Sequence, residues 1–333
     1  MLFTTLIPVY KSQFLPDIVA CLNAQNLQSF TVIFSDDSPT KDLAEVMHDL
    51  QTHEKISFPY KIVQGRNIGP VTNCYDLLDY CDHSTPYIHF LFDDDLIFPD
   101  FYQSHADAYQ QTQAQACISS RIIVSEDKQP YAAPSLPPFL TASNERVSLL
   151  KIADVAHSIL PSCNNWLGEM SSATFNGQVM RQTLKGALQN IPYYGLNDLG
   201  VFLEILAQHP VAYIYNNLGA FRRNRSQTSQ DRHSKVFQST IISWASLILD
   251  AHSKSWLSDA QTQQGLKKAK EMIQATIQAN HGYEELASSL ASFDQPEIAK
   301  QLFNAAWRSI LEKNPDAIRH LIAPPQSSSL NVT

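Results

Sequence analysis

The 333-residue chain is short of most features that announce a function. No Cys-x-x-Cys occurs among its five cysteines, Cys21, Cys74, Cys81, Cys117 and Cys163. That argues against a structural zinc site, and an odd count without paired spacing argues against a disulfide framework. The five are expected to be small buried hydrophobes in a reducing compartment. A basic excess is missing too: 24 Lys and Arg face 32 Asp and Glu, for a net charge of −8. Nucleic-acid binders carry surplus positive charge to neutralise phosphates, so that class is disfavoured. No window approaches the ~18 apolar residues of a membrane span. The opening apolar run is cut by Pro8 and has no basic segment before it, so no signal peptide is expected and the cytoplasm is the expected location. Peripheral contact with the inner face of the plasma membrane stays open. No Gly-x-Gly-x-x-Gly follows the first strand and no glycine precedes a lysine, which removes the dinucleotide fingerprint and the P-loop. Disorder is excluded by the 44% hydrophobic content, which is ample for a core.

What is present is an alternation of strand and helix patterns over the first 125 residues. Leu2–Val9, Thr31–Ser35, Tyr60–Val63, Tyr87–Phe92 and Ala116–Val124 read as strands. Between them Leu15, Ile18, Val19 and Leu22, then Leu43, Val46, Met47 and Leu50, then Val71, Cys74, Leu78 and Cys81 recur at helical spacing. This implies an α/β fold with a mostly parallel central sheet. Residues 125–141 hold four prolines and read as a long loop or lid. Residues 144–160 and 197–208 read as helices, and 211–215 as a last strand. From about Lys235 the chain is rich in Gln, Ala and Leu and reads as all helix, with one or two hairpins over 296–323 and a frayed tail from Pro324. At roughly 100–200 residues per domain, two units are expected, 1–230 and a helical 231–333.

Acidic clusters carry the chemistry. Asp36-Asp37 and Asp93-Asp94-Asp95 each follow a strand, and ligands of open α/β sheets bind beyond the C-terminal strand ends. Asp is common in turns, and either cluster alone fits a solvated turn. A triple Asp directly after Tyr-Ile-His-Phe-Leu-Phe is different, because the charge starts where an apolar strand stops. Three adjacent carboxylates repel one another, and a hard divalent cation such as Mg2+ or Mn2+ would relieve that.

Taken in order, these segments resemble family 2 glycosyltransferases of the GT-A fold. The likeness rests on Leu6-Ile-Pro-Val-Tyr10, Cys21-Leu-Asn-Ala-Gln25, Phe30–Thr40, Gly65-Arg-Asn-Ile-Gly69 with Asn73, and Phe90-Leu-Phe-Asp-Asp-Asp95. It continues through Asn165–Phe175, Asn197–Glu204 and Phe221–Ser229, and so covers about residues 1–230. The resemblance implies a nucleotide-sugar-binding domain and an inverting transfer from a nucleotide-sugar, a UDP-sugar first and dTDP or GDP donors behind it. It implies that Pro8, Tyr10 and Asp37 contact the nucleobase with Asp36 close by, and that Arg66 and Asn67 lie near the base or phosphates. Asp93 would face ribose and metal, Asp95 would be the principal metal ligand, and Asp94 and Arg222 would complete the donor site. Asp198 would be the general base, with Glu169 the runner-up. On residue chemistry alone Asp198 reads as a helix cap. The histidine the family often carries two residues after its closing arginine is Asn224 here, and its Glu-Pro pair is Glu169-Met170. Arg223, Arg225 and His233 are further candidates near the diphosphate. Trp166 and Tyr193-Tyr194 could form a sugar platform, with core packing the commoner fate of such rings. His89 reads as a satisfied core residue.

The acceptor is left open as a glycan, a lipid-linked glycan or a protein, within bacterial surface-glycan assembly. The alternatives are a protein-directed glycosyltransferase whose helical tail binds a polypeptide, and a degenerate module that binds nucleotide-sugar without turnover. The tail is also a candidate for homo-oligomer formation.

Overall fold

The computed structural model describes residues 2–53, 56–67, 69–141, 145–190, 193–224, 231, 234–277 and 282–313. Arg225, His233 and the stretch from Pro324, singled out above, lie outside them. The first half runs β1 (Phe3–Val9), α1 (Leu15–Asn23), β2 (Phe30–Asp36), α2 (Leu43–His53), β3 (Tyr60–Gln64), α3 (Pro70–Asp79), β4 (Tyr87–Phe90), β5 (Leu96–Ile97) and α4 (Phe101–Thr112). Then come β6 (Ala116–Val124), β7 (Pro130–Ala132), α5 (Pro138–Thr141), β8 (Val147–Leu150), α6 (Ile152–Ile159), β9 (Ala173–Asn176), α7 (Gly177–Asn190), α8 (Asn197–Gln208) and β10 (Val211–Arg222). Among the described residues, four α-helices follow: α9 (Lys235–Ser253), α10 (Asp259–Ile277), α11 (Glu284–Ser289) and α12 (Pro296–Glu312).

The strand order is β3-β2-β1-β4-β9-β6-β10-β5, with β7 beside β6 and β8 beside β10. β3, β2, β1 and β4 pair in parallel, as do β6 and β10. β9 runs antiparallel between β4 and β6, so these two parallel groups share one direction. This is the mostly parallel α/β sheet expected. Register matters for the site: Val9 faces Asp36, and Asp36 faces Gln64. Three strands therefore end level, and Tyr10, Asp37 and Gly65 emerge along one rim.

Side-chain alternation splits the core between the two faces of the sheet. Phe3, Ile7, Phe30, Val32 and Phe34 pack with Leu15, Ile18, Leu22, Met47 and Tyr102. Leu6, Ile33, Ile88 and Phe90 pack on the other side with residues of α3, α6, α7 and α8. That second cluster continues without a break into Ile242, Ile248, Leu266, Phe303 and Trp307 of the C-terminal helices. The change of composition near residue 230 marks the end of the sheet, but not the end of the core.

Three elements differ from the sequence reading. Val147–Leu150 is a strand antiparallel to β10, where a helix from 144 was expected. Short apolar runs do not distinguish the two periods, and the open edge of β10 decides. The proline-rich 125–141 loop holds the short β7 and α5. The described part of 296–323 is the single helix α12, without a hairpin turn. In addition, β10 runs on to Arg222, past the expected Tyr215, with register shifts between Ile214 and Gly219. That extension brings residues 222–224 to the triple Asp.

Candidate active site

The rim above β1, β2 and β3 is built by backbone. Asp37 N donates to Val9 O at 2.9 Å, and Gly65 N donates to Asp36 O at 2.9 Å. Asn67 N donates to Asp37 Oδ1 at 2.5 Å. A Cβ on Gly65 would lie 2.5 Å from that oxygen, so only glycine allows the approach. Burial holds the Asp37 carboxyl above its ordinary value, with the Asn67 N–H opposing. Asp36 is turned inward. Its Oδ1 accepts from the Ser38 N–H and hydroxyl at 3.1 and 2.6 Å, so it shapes the loop instead of facing a base. Pro8 is buried in β1, while Tyr10 is exposed at the rim. Arg66 is engaged elsewhere than expected: its guanidinium forks onto Asp76 of α3, both bonds 2.6 Å.

The triple Asp does not act as three equal ligands. Asp93 Oδ2 accepts from the backbone N–H groups of Tyr10 and Lys11 at 2.7 and 2.6 Å, tying β4 to the loop after β1. Its carboxyl is pushed up to about 6 by burial and the negative Asp94, against those two N–H donors. Asp94 Oδ2 accepts from Asn224 Nδ2 at 2.9 Å and lies 3.6 Å from Lys11 Nζ. Lys11 Nζ also donates to Asn224 Oδ1 at 3.3 Å. Asp95 is buried and accepts from Arg222 N at 3.2 Å. Burial, then Asp94 and Glu169, hold its carboxyl well above the usual range, with the Ser171 hydroxyl opposing. Ser171 is itself fixed. Its hydroxyl accepts from Phe92 N at 3.0 Å, and its carbonyl lies 3.0 Å from Nε2 of buried His89. His89 is thus the satisfied core residue expected, its imidazole pulled down to about 4 by burial.

Arg222 requires a correction. Its guanidinium is buried over the Phe14 ring, 4.5 Å from the centroid, and bonds Asp17 Oδ2 at 2.7 Å. Its backbone N–H meets Asp95 in the site, while its guanidinium is held by Asp17 of α1. Arg223 is the exposed one, 5.7 Å over the Tyr131 ring.

Two concavities meet at Arg121 and Glu169, and Asp95 lines the smaller one. One is a small cavity of about 10 Å3, lined by Asp95, Arg121, Glu169, Ser171 and Phe221. The other, about 220 Å3, is lined by Arg121, Pro134, Asn165, Trp166, Glu169 and Arg223. Arg121 and Glu169 line both. Arg121, within β6, binds Glu169 at two points and Trp166 O at 3.2 Å. Trp166 is buried and donates to Ser158, the core role that was the commoner expectation. Asp198 sits in the first turn of α8 and accepts from its neighbour Leu199 N at 2.8 Å. Its carboxyl is pushed up to about 7, first by burial and then by the negative Glu169, with Arg121 opposing. Phe202 of the same helix stacks on Phe175 of β9 at 5.9 Å, which anchors α8 to the sheet.

Sequence reasoning missed Lys11, Arg121 and Ser171. Arg121 had a signal: a lone charge inside an otherwise uncharged strand. For metal binding, no three His, Cys, Asp or Glu side chains among the described residues gather where one ion could be held. Backbone donors pull Asp93 and Asp95 to different partners. The set still suits an ion that takes one or two carboxylates and completes its shell from substrate phosphates, as Mg2+ does.

Residues 4–163 match the model of glycosyl transferase family 2. No curated protein matches the chain significantly in sequence. Among solved structures, S. aureus TarS 1-349 in complex with UDP-GlcNAc aligns with a TM-score of 0.56 at 12% identity, over 94% of this chain and 92% of that one. TarS 1-349 in complex with UDP aligns with a TM-score of 0.54, also at 12% identity, over the same shares. The longer TarS structure aligns with a TM-score of 0.55 at 13% identity, over 99% of this chain but 56% of its own. At these identities the likeness is one of fold.

Proposed function

We propose that this chain, a family 2 glycosyltransferase with the GT-A fold, moves a sugar from a UDP-sugar to a hydroxyl acceptor by one inverting displacement. The observation that carries this reading is Asp198. Its carboxyl is pushed up to about 7 beside Glu169, and Glu169 lines the cleft that leads to Asp95. A base whose proton affinity matches working pH accepts a proton efficiently in the transition state. Asp198 takes the acceptor proton as the hydroxyl oxygen bonds the anomeric carbon. The bond from that carbon to the diphosphate oxygen breaks, and UDP leaves with the electron pair.

Pro8, Tyr10, Asp37 and Asn67 would receive the nucleobase at the rim, and Asp93 the ribose. UDP is the first choice because the TarS structures of the same fold hold UDP-GlcNAc and UDP. Asp95 with Asp93 would hold Mg2+ or Mn2+, which supplies charge neutralisation for a leaving diphosphate. The 125–141 and 161–175 loops, which contribute Pro134, Asn165 and Trp166 to the larger cleft, would select the acceptor. We assign the acceptor to surface-glycan assembly at the cytoplasmic side. No described helix is long and apolar enough to cross a membrane.

Calorimetric titration of the full chain with UDP, UDP-GlcNAc, GDP and dTDP in manganese tests the donor. UDP species should bind at least tenfold tighter than the others. Tighter GDP or dTDP binding refutes the UDP assignment, and no nucleotide binding refutes the donor site. NMR of the glycosylated product tests inversion, and a retained anomeric configuration refutes single displacement.

A further inference from the structure

The base-bearing helix α8 is approached through Tyr193–Leu196, and α9 grips that approach. Thr240 Oγ1 shares its proton between Gly195 O at 3.1 Å and Val236 O of its own helix at 2.9 Å. Ser243 Oγ donates to Tyr194 O at 3.0 Å. Tyr193 OH donates to Asp250 Oδ2 at 2.8 Å. Positions 240, 243 and 250 are spaced by three and seven residues, so they share one face of α9. Three successive residues of the approach are thus held by one rigid element.

Packing here leaves no slack. Gly195 has φ +92°, and a Cβ on it would lie 2.4 Å from Thr240 Oγ1 and 2.8 Å from Thr240 N. The Tyr193 ring lies against the backbone of α8, because a Cβ on Gly200 would meet it at 2.4 Å. Gly200 is two residues after Asp198. The Asp250 carboxylate is buried, yet its charge is balanced by Lys254 Nζ at 2.8 Å and by Lys300 Nζ of α12 at 3.3 Å. Lys254 also pairs with Glu204, so α8 is held by α9 beyond its first turn as well.

We propose that α9 is the positioning element of the proposed base. Asp250, Ser243 and Thr240 act through Tyr193–Gly195 to set the first turn of α8, and so the point where the Asp198 carboxyl meets the acceptor hydroxyl. These are positioning residues, since none of them lines the cleft. The inference rests on reading Asp198 as the base. It gives the start of the helical region a place in catalysis that composition did not suggest.

The test compares Tyr193→Phe, Thr240→Val, Thr240→Ser and Asp198→Asn in the full chain. Tyr193→Phe keeps the ring on Gly200 and removes only the bond to Asp250. Thr240→Ser keeps the hydroxyl and Thr240→Val removes it. The readouts are kcat, acceptor KM, UDP affinity and the pH midpoint of kcat. Tyr193→Phe and Thr240→Val should each lower kcat about tenfold and move the pH midpoint, with UDP affinity within twofold. Thr240→Ser should restore kcat to within threefold. In an Asp198→Asn background Tyr193→Phe should add no further loss, because groups acting as a unit are not additive. Unchanged kcat and pH midpoint in both Tyr193→Phe and Thr240→Val overturn the proposal while Asp198→Asn stays inactive. Full turnover by Asp198→Asn overturns the base reading instead, so the two failures are distinct. If Tyr193→Phe does not fold, the Thr240 pair decides alone.

Discussion

Arg121 grips Glu169 at two points, Nε to Oε2 at 2.5 Å and Nη2 to Oε1 at 3.1 Å. The guanidinium is buried, while the carboxylate is partly open to the cleft. A fork of this kind fixes orientation as well as charge. Glu169 is therefore held in the cleft it lines with Asp95, and its charge raises the carboxyls of both Asp95 and Asp198. The pair sets the electrostatics of the cleft floor.

The pH dependence of turnover should follow from that arrangement. Glu169 raises the Asp198 carboxyl and Arg121 lowers it. With Asp198 as base, kcat should rise with pH to a plateau, with a midpoint near the value of about 7. Glu169→Gln should shift that midpoint down, by roughly one pH unit. Arg121→Gln should shift it up. A kcat–pH profile of each variant checks both directions, and movement of either the opposite way refutes the coupling.

Asp198→Asn should cost activity and add stability. Loss of the base should lower kcat by about 10^2 to 10^4-fold while UDP affinity stays within about twofold. The folded carboxyl holds its proton up to about 7, against 3.8 for an unperturbed one. Between those values the folded state binds more protons than the unfolded state, so stability falls as pH rises through that window. The penalty is complete above 7 and absent below 3.8. A shift of this size carries at most about 4 kcal/mol. Partial exposure of Asp198 reduces that to about 2 kcal/mol. The variant should melt higher than wild type at pH 8 and equally at pH 3, as scanning calorimetry would show.

The acidic rim at the strand ends was legible because an apolar strand ending abruptly in carboxylates is a local signal. Tyr87–Phe90 stopping short of Asp93 could be read along the chain. Arg222 could not. Its partner Asp17 lies 205 residues away, and nothing local says that the guanidinium is buried over Phe14. Lys11 is a single lysine after a strand, and only the fold brings it to Asp94 and Asn224. Val147–Leu150 became a strand because β10 offers it an edge, which periodicity over four residues cannot foresee. Thr240 and Ser243 look like any polar residues of an amphipathic helix. Asp250 did have a signal, a lone carboxylate after Trp-Ala-Ser-Leu-Ile-Leu, but its meaning depends on Tyr193.

Gly168→Ala should damage both stability and turnover. Gly168 has φ +112°, and a Cβ there would lie 2.7 Å from Arg121 Cζ and 2.8 Å from Nη1. Left-handed backbone costs an L-residue roughly 1–2 kcal/mol, and displacing the guanidinium adds to that. Gly282→Ala is the control, with φ +92° but nothing within 4 Å of the added carbon. Both should lose melting temperature. Only Gly168→Ala should also lower kcat, by about tenfold, because it alone moves Arg121 off Glu169. Equal kcat in the two variants refutes the positioning role of the ion pair.

Manganese should strengthen UDP binding through Asp95. That carboxyl is buried with Asp94 and Glu169 adding negative charge around it, so a cation there removes repulsion already present in the fold. Wild type should bind UDP at least tenfold more weakly in EDTA than in manganese. Asp95→Ala should lose the difference between the two conditions, and Asp93→Ala should lose part of it. A second cation is already built in: Lys11 Nζ lies 3.6 Å from Asp94 and 3.3 Å from Asn224 Oδ1. Lys11→Ala separates the two sources of charge. If the metal carries the diphosphate, Lys11→Ala keeps the manganese effect and weakens UDP by only a fewfold. If wild type binds UDP equally in manganese and EDTA while Lys11→Ala loses it, the ammonium group is the cation on which the site depends, and the metal assignment falls.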